Sequence, residues 1–329
     1  MPPRNLEDAP RLTAPSRRRA SSIKVIAKDD TNGEKLVSKK TDVSANRAGS
    51  ITLGGELTVR RLGYGAMRLT GAGIWGPPKD RAQALAVLRR AVELGVNFID
   101  TADSYGPYVN EELIAEALYP YSNDLVIATK GGWNRVGPNQ WTHNATPQHL
   151  REAVEGSLKR LRLERIELYQ LHVPDPMVSF EASLEALLEM QSRGKIRLIG
   201  LSNVTREHIE RAWKLTPVAS VQNRYSFADR EWDYVVDYCE KNGIAFIPWF
   251  PLAAGQAGMD AVHRIAEAHS ATVMQVALAW LLRRSPIILP IPGTSSLTHL
   301  EENMGATTLQ LSQSEVDELS GVEELTFSR

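Results

Sequence analysis

Four polar residues stand where apolar, strand-like runs of the sequence end. Asp100 lies near the end of NFIDTA, and Tyr105 follows five residues later in FIDTADSYG. Lys130 ends LVIATK, and His172 lies near the end of IELYQLHV. A buried polar side chain needs a partner. One arrangement satisfies all four, with Lys130 paired to Asp100 and close to the Tyr105 hydroxyl.

This arrangement suits the protonation of a carbonyl oxygen. An ammonium group favours a neighbouring phenolate, so we expect Lys130 to lower the pKa of Tyr105 and make it a general acid near neutral pH. His172 can hydrogen-bond the carbonyl oxygen and hold it beside the phenol. A hydride must then reach the carbonyl carbon from a cofactor, because no side chain can supply one. The four residues are therefore predicted to be the catalytic set of a carbonyl reduction.

The elements that carry these residues form a repeating pattern from residue 51 onward. The segment ITLGGELTV predicts a hairpin that turns at Gly54 and Gly55. Helical spacing of apolar residues predicts helices over 147–162, 179–194 and 205–215, which alternate with the strands. Eight apolar runs read as strands: 62–67, 97–102, 125–130, 166–173, 196–203, 219–226, 244–250 and 287–293.

Eight strand–helix units in one stretch of chain favour a closed (β/α)₈ TIM barrel. We expect the hairpin to close the bottom of this barrel and extra helices to follow its last strand. An open doubly wound sheet would have similar strands and crossovers, and is the competing interpretation. In a TIM barrel the active site lies at the carboxyl ends of the strands. That is where the four polar residues stand.

The stretch GAGIWG, residues 71–76, matches the glycine pattern of a Rossmann phosphate-binding turn. Pro77 and Pro78 follow at once, so the next helix is expected near Asp80, away from the glycines. Asp100 comes 29 residues after Gly71, later than the acidic residue of that motif. We therefore interpret 71–76 as a loop at the catalytic mouth.

Charge and composition limit the other possibilities. The net charge is −1, which favours neither nucleic acid nor a membrane surface as partner. The first fifty residues carry 11 Lys+Arg against 6 Asp+Glu and lack large apolar runs, so residues 1–50 are predicted to be a disordered extension. Residues 51–329 are predicted to form one domain. The single cysteine, Cys239, is interpreted as a buried apolar residue and fits a cytoplasmic location.

The segments NFIDTADSYG, ATKGG and QLHVPDP resemble the catalytic segments of the aldo-keto reductases. The resemblance covers about residues 51–325, and it implies the roles given above for Asp100, Tyr105, Lys130 and His172. The stretch GYGAMRLTGAGIWGPPKDR further resembles a bacterial branch that includes pyridoxal-reductase-like enzymes.

The same resemblance implies a dinucleotide site along the later strands. GLSNV and VQNRYS are similar to segments that hold the nicotinamide carboxamide, and PWFPLAAG to the segment that stacks on the ring and then passes near the pyrophosphate. IPGTSSLTHLEENM is similar to the segment that holds the adenosine 2′-phosphate and adenine. The implied cofactor residues are Ser202, Asn203, Gln222, Trp249, Phe250, Leu252, Gly255, Gly293, Thr294, Ser295, Ser296, Glu302 and Asn303.

Two positions depart from the family pattern. Many members carry a basic residue at the position of Gly293 and an arginine at that of His299, and these cations pair with the 2′-phosphate. Hydroxyl groups at 294–296 can still hydrogen-bond a phosphate. NADP(H) is therefore the expected cofactor, with NAD(H) as the alternative.

The substrate is expected to be a small carbonyl compound. Ile74, Trp75, Trp133 and Trp141 lie on loops that follow strands, and they predict an apolar, aromatic pocket for aromatic or alicyclic carbonyls. The sequence does not select one compound. It gives no oligomeric state either, so a monomer is the default.

The sequence also bears on three other functions. A metal-dependent hydrolase needs clustered histidine and carboxylate ligands at strand ends, and the sequence offers one histidine there. A serine hydrolase needs a G-x-S-x-G elbow, which GLSNV does not match. A regulatory barrel that binds NADP(H) without catalysis stays open, and measured turnover would distinguish it from an enzyme.

Overall fold

The computed structural model describes residues 43–250 and 256–321. Most of the predicted N-terminal extension, residues 1–42, and the implied cofactor residues Leu252 and Gly255 lie outside the described residues. Residues 43–50 belong to the packed structure, because Ala45 is fully buried and its N–H donates to the carbonyl of Leu94 at 2.9 Å. The Ser44 carbonyl accepts from Thr307 Oγ1 at 3.2 Å.

Parallel strands alternate with helices along the described chain. In chain order the strands are β1 (Ser50–Leu53), β2 (Leu57–Arg60), β3 (Tyr64–Gly65), β4 (Phe98–Asp100), β5 (Val126–Gly131), β6 (Trp133–Gly137), β7 (Gln140–His143), β8 (Ile166–Leu171), β9 (Ile196–Ser202), β10 (Ser220–Gln222) and β11 (Ala245–Phe246). The helices are α1 (Arg81–Glu93), α2 (Val109–Leu118), α3 (Pro147–Leu161), α4 (Phe180–Ser192), α5 (Arg206–Trp213), α6 (Asp233–Asn242), α7 (Gln256–Ala268), α8 (Val273–Arg284), α9 (Leu297–Gly305) and α10 (Gln313–Ser320).

Seven strands form one parallel sheet, and an eighth segment closes it into a barrel. The sheet order is β11-β10-β9-β8-β5-β4-β3. Residues 287–292 fill the gap between its two ends, because Leu289 N–H donates to the Phe246 carbonyl at 2.8 Å and Gly63 N–H donates to the Pro290 carbonyl at 2.9 Å. The predicted (β/α)₈ barrel is confirmed. The seven sheet strands and the closing segment 287–292 fall in the eight predicted runs, except that β5 extends one residue further, to Gly131.

The hairpin β1–β2 covers one end of the barrel. Gly54 and Gly55 turn it with φ of +57° and +76°, values that favour glycine. Leu53 and Val59 are buried, and they pack with barrel residues such as Phe98. The hairpin therefore closes the end opposite the carboxyl ends of the strands.

Side-chain caps fix where several helices begin. Asp80 caps α1, so this helix begins after the proline pair as expected, and Thr146 caps α3. Ser179 and Thr205 cap α4 and α5. Each cap sets the length of the loop between a strand and the helix that follows it.

Two further findings concern the described residues as a whole. No single described helix is long and apolar enough to cross a bilayer, and one helix pair that meets the length and composition criteria together is bent by 97°. Within the described ranges, no three His, Cys, Asp or Glu side chains are grouped so that they could hold a metal ion.

Cys239 is buried on α6, and burial raises the pKa of its thiol.

Candidate active site

The four predicted catalytic side chains meet at the carboxyl ends of three adjacent strands. Asp100 is the last residue of β4, Lys130 lies at the end of β5, and His172 follows β8 directly. Tyr105 stands on the loop from β4 to α2. Because β4 pairs with β5 and β5 with β8, the strand order alone brings these positions together.

Lys130 and Asp100 form a buried ion pair. Their side chains are 0% and 3% exposed, and Lys130 Nζ lies 2.6 Å from Asp100 Oδ1. The other carboxylate oxygen accepts from Gln222 Nε2 at 2.9 Å and from Gln170 Nε2 at 3.1 Å. Burial lowers the pKa of Lys130, but Asp100 and Tyr105 together outweigh it, so the pKa is raised and the ammonium stays charged.

Tyr105 lies beside this ammonium, with its hydroxyl 3.4 Å from Lys130 Nζ. The sequence-based expectation that its pKa is lowered was wrong in sign. Burial raises the pKa of Tyr105 above its usual value, and the charge of Lys130 offsets only part of that rise. The phenol therefore keeps its proton at neutral pH, and Lys130 makes it more acidic than burial alone would leave it.

His172 is buried next to Tyr105 and is neutral. The ring centroids are 5.8 Å apart and nearly perpendicular. Burial and the Lys130 charge hold the pKa of His172 well below its usual range. Its Nδ1 lies 3.5 Å from Ser104 Oγ. A neutral imidazole has one N–H donor, which can hydrogen-bond a carbonyl oxygen.

Trp133 and Trp141, on the hairpin β6–β7, form an aromatic wall beside these residues. The Trp141 ring lies 6.5 Å from that of Tyr105, and the Trp133 ring lies 6.3 Å from that of His172. Trp75 and Ile74 are half-buried on the loop 71–76. The Ile74 carbonyl accepts from the N–H of Gly106, the residue after Tyr105, at 3.3 Å, so this loop also lies beside the candidate active site.

The residues implied for the nicotinamide lie at the ends of β9 and β10. Asn203 Nδ2 donates to Ser202 Oγ at 3.1 Å and to the His172 carbonyl at 3.0 Å. Gln222 donates to Asp100, so its amide oxygen is the group left to accept from a ligand. The backbone N–H of Trp249 donates to the Asn223 carbonyl at 3.1 Å, which places this half-buried residue one strand beyond β10.

The residues implied for the adenosine phosphate lie at the start of α9. Thr294 is fixed by its carbonyl, which accepts from Tyr64 Oη at 2.5 Å, and its hydroxyl accepts from the N–H of Ser296. Ser296 caps α9, and Glu302 and Asn303 lie on that helix. Phe250, at the end of the 43–250 range, is 46% exposed.

A cavity of about 580 Å³ opens between the first and last strand ends. It is lined by residues 67–68, 70–74, Asn139 and 293–295. Arg68 is an exposed cation on this lining that sequence reasoning missed. The loop 71–76 therefore borders the cavity with its glycines, while α1 begins at Arg81, outside it.

The structure explains why residue 293 is a glycine rather than a basic residue. A Cβ built on Gly293 would lie 2.7 Å from the Gly65 carbonyl oxygen, and real Cβ atoms essentially never approach that closely. The nearest side-chain atom to that position is Arg68 Cγ, at 3.6 Å. A cation can therefore reach this end of the cavity from Arg68 but not from position 293.

Comparisons with known proteins identify the family that this chain resembles. A model of the aldo/keto reductase family matches residues 61–324. An uncharacterized oxidoreductase of Schizosaccharomyces pombe is 48% identical over 275 residues, which cover 82% of this chain and 88% of the relative. The pyridoxine 4-dehydrogenase of Escherichia coli is 46% identical over 275 residues, covering 82% and 96%.

Among solved structures, an aldo-keto reductase from Klebsiella pneumoniae in complex with NADPH is similar to this chain. The TM-score is 0.69 and the identity 28%, over 82% of this chain and 94% of that one. The similarity thus extends through the whole barrel.

Proposed function

The chain belongs to the aldo/keto reductase family, and we propose that it reduces an aldehyde or ketone to an alcohol, reversibly, with NADP(H) as cofactor. The observation that carries this proposal is the buried Lys130–Asp100 pair beside a neutral Tyr105 hydroxyl. This arrangement holds a proton next to a fixed positive charge, as the protonation of a carbonyl oxygen requires.

In this mechanism the substrate carbonyl oxygen lies between Tyr105 and His172. A nicotinamide held by Ser202, Asn203 and Gln222 would supply the hydride for the carbonyl carbon. His172 donates a hydrogen bond to the oxygen, and Tyr105 transfers its phenolic proton to it as the C=O π bond breaks. Lys130 stabilises the phenolate that remains, and Asp100 keeps the ammonium in place. In the oxidation direction, the phenolate accepts the alcohol proton.

Several features support an NADP(H) site. Asn203 and Gln222 hydrogen-bond His172 and Asp100, and Ser202 hydrogen-bonds Asn203, so the groups expected to bind a nicotinamide carboxamide adjoin the catalytic residues. The cavity at the start of α9 offers hydroxyl groups, and the N–H groups of a helix N-terminus favour a phosphate. We propose that Arg68 provides the cation that Gly293 cannot, with Thr294, Ser295 and Ser296 as hydrogen-bonding partners.

The half-buried indoles of Trp133 and Trp141 favour an aromatic or alicyclic substrate. A relative named pyridoxine 4-dehydrogenase makes pyridoxal the first compound to test. A cytoplasmic location and a monomeric state stay predictions.

The test is NADPH oxidation with a panel of aldehydes and ketones, pyridoxal included, for the wild type and Tyr105→Phe. We expect the substitution to lower kcat by about 10²–10⁴-fold, because it removes the proton donor. NADPH affinity, measured by fluorescence titration, should stay unchanged. Near-normal turnover by the variant would refute the assignment of Tyr105. Binding of NADPH without turnover by either protein would favour the regulatory alternative.

A further inference from the structure

Arg135 lies in the middle of β6 and uses all of its N–H donors on backbone carbonyls. A guanidinium has five N–H groups in a planar fork. Their acceptors are the carbonyls of Gln140 (3.2 Å from Nε), Ile74 (2.8 Å) and Ser104 (2.9 Å) for Nη1, and Gly73 (2.8 Å) and Gly137 (3.3 Å) for Nη2. The side chain is therefore fully satisfied by the protein itself.

These carbonyls belong to three separate segments that surround the candidate substrate site. They lie on the loop 71–76, on the loop 101–106 that carries Tyr105, and on the hairpin β6–β7. Backbone hydrogen bonds also join the segments in pairs, such as Asn139 N–H to the Gly73 carbonyl at 2.9 Å and Gly76 N–H to the Gly106 carbonyl at 2.6 Å. The Arg135 side chain hydrogen-bonds all three segments.

The same guanidinium stacks on Trp141 of the aromatic wall and lies near Trp75. Its central carbon lies 3.7 Å from the ring centroid of Trp141 and 5.7 Å from that of Trp75. Trp141 in turn contacts the Tyr105 ring edge-to-face. A cation stacked on an indole is attracted by the ring, so Arg135 holds Trp141 against the catalytic tyrosine.

Three basic side chains at the candidate site offer no free positive charge to a substrate. Lys130 is paired with Asp100, Arg135 is saturated by carbonyls, and His172 is neutral. A carboxylate or phosphate on the substrate would have to give up water without gaining a matched cation there, which is unfavourable. Indole faces, in contrast, favour an uncharged planar ring.

We infer that Arg135 is a positioning residue that holds the three segments as one preformed substrate mouth, and that this mouth selects uncharged aromatic carbonyl compounds over anionic ones. This inference rests on the proposed carbonyl reduction for its substrate class. Arg135 does not contact the reacting atoms, and two of its acceptors, Gly73 and Ile74, also line the cavity proposed for the cofactor phosphate.

The first test compares benzaldehyde with 4-carboxybenzaldehyde, which differ by one carboxylate. We expect the wild type to favour benzaldehyde in kcat/KM by about tenfold or more. Arg135→Met should raise KM for benzaldehyde about 10- to 100-fold, because displaced walls misplace the substrate. Arg135→Lys should not rescue KM, because an ammonium lacks the planar five-donor fork.

Arg206→Met is the matched control. Arg206 also lies over an aromatic ring, that of Tyr238, and pairs with Glu210, but it stands on the exposed surface of α5. Its substitution should leave both substrates unaffected. Wild-type KM in Arg135→Lys would overturn the positioning role. A loss in Arg135→Met confined to 4-carboxybenzaldehyde would show instead that Arg135 binds the substrate anion.

A second readout does not need turnover. Hydrogen exchange of segments 71–76, 101–106 and 133–143, measured without substrate, should be about tenfold faster or more in the Arg135 variants and unchanged in Arg206→Met. If the methionine variant does not fold, the lysine variant carries this test. Unchanged exchange would overturn the inference. If the wild type reduces no aldehyde, but exchange is still faster in the Arg135 variants than in the wild type, the proposed function is refuted and the positioning role of Arg135 is retained.

Discussion

Asp103 provides the sharpest test of the electrostatics behind the candidate site. It precedes Ser104 and Tyr105, is 2% exposed, and its Oδ1 has no hydrogen-bond partner among the described residues. Burial, reinforced by the Glu111 carboxylate, raises the pKa of Asp103 to about 8, although Arg160 partly opposes this. Its usual value is 3.8, so Asp103 is protonated in the folded protein at pH 7 and ionised in the unfolded chain.

The pH dependence follows from this difference. Between pH 4 and pH 8 unfolding releases one proton from Asp103, so the free energy of unfolding falls as the pH rises. The fall is about 1.4 kcal/mol per pH unit, or about 4 kcal/mol from pH 5 to pH 8. Asparagine has nearly the same shape and does not titrate. Asp103→Asn should therefore remove this part of the pH dependence.

The assay is urea unfolding of both proteins at pH 5, 6.5 and 8. The difference in free energy of unfolding, variant minus wild type, should rise by about 4 kcal/mol across the series. Asp260→Asn, an exposed substitution on α7, is the control and should show no such trend. A difference between Asp103→Asn and wild type that is the same at all three pH values would show that Asp103 is ionised when folded, and would refute the reasoning.

Two further predictions concern cations of the site. Arg68→Ala should raise KM for NADPH about 10- to 100-fold, the value of one charge-assisted hydrogen bond, and leave KM for NADH nearly unchanged; equal losses with both cofactors would assign Arg68 to the pyrophosphate instead. Lys130→Met should lower the free energy of unfolding at pH 7 by about 3–5 kcal/mol, because it leaves the buried Asp100 carboxylate without its cation, and should abolish turnover. Urea unfolding checks this, and a variant as stable as the wild type would contradict it.

The sequence carried enough information for the barrel and for the convergence of the four polar residues. Each of them follows or ends an apolar run, and parallel strands bring their carboxyl ends to one side of a barrel. The sequence alone could not give the direction of the Tyr105 pKa shift. It depends on whether burial or the Lys130 charge dominates, and that requires the packed side chains.

Other features depend on contacts between distant loops. Arg135 receives its role from carbonyls on three segments that have no periodic pattern, so nothing in its own neighbourhood marks it. In the sequence, Gly293 stands where many family members carry a basic residue, so the sequence indicates that a cation is absent from the phosphate site. In the folded chain it is a position where the Gly65 carbonyl leaves no room for a side chain.

The closing segment 287–292 is joined to the first barrel strand by few backbone hydrogen bonds. Pro290 and Pro292 have no N–H to donate, and the described hydrogen bonds across this joint run one way, from Gly63 and Gly65 to the proline carbonyls. The cavity beside Arg68 opens directly over this joint, with one wall from each side. A ligand bound there would contact both the first strand and the closing segment. Cofactor binding would therefore also stabilise the closed barrel.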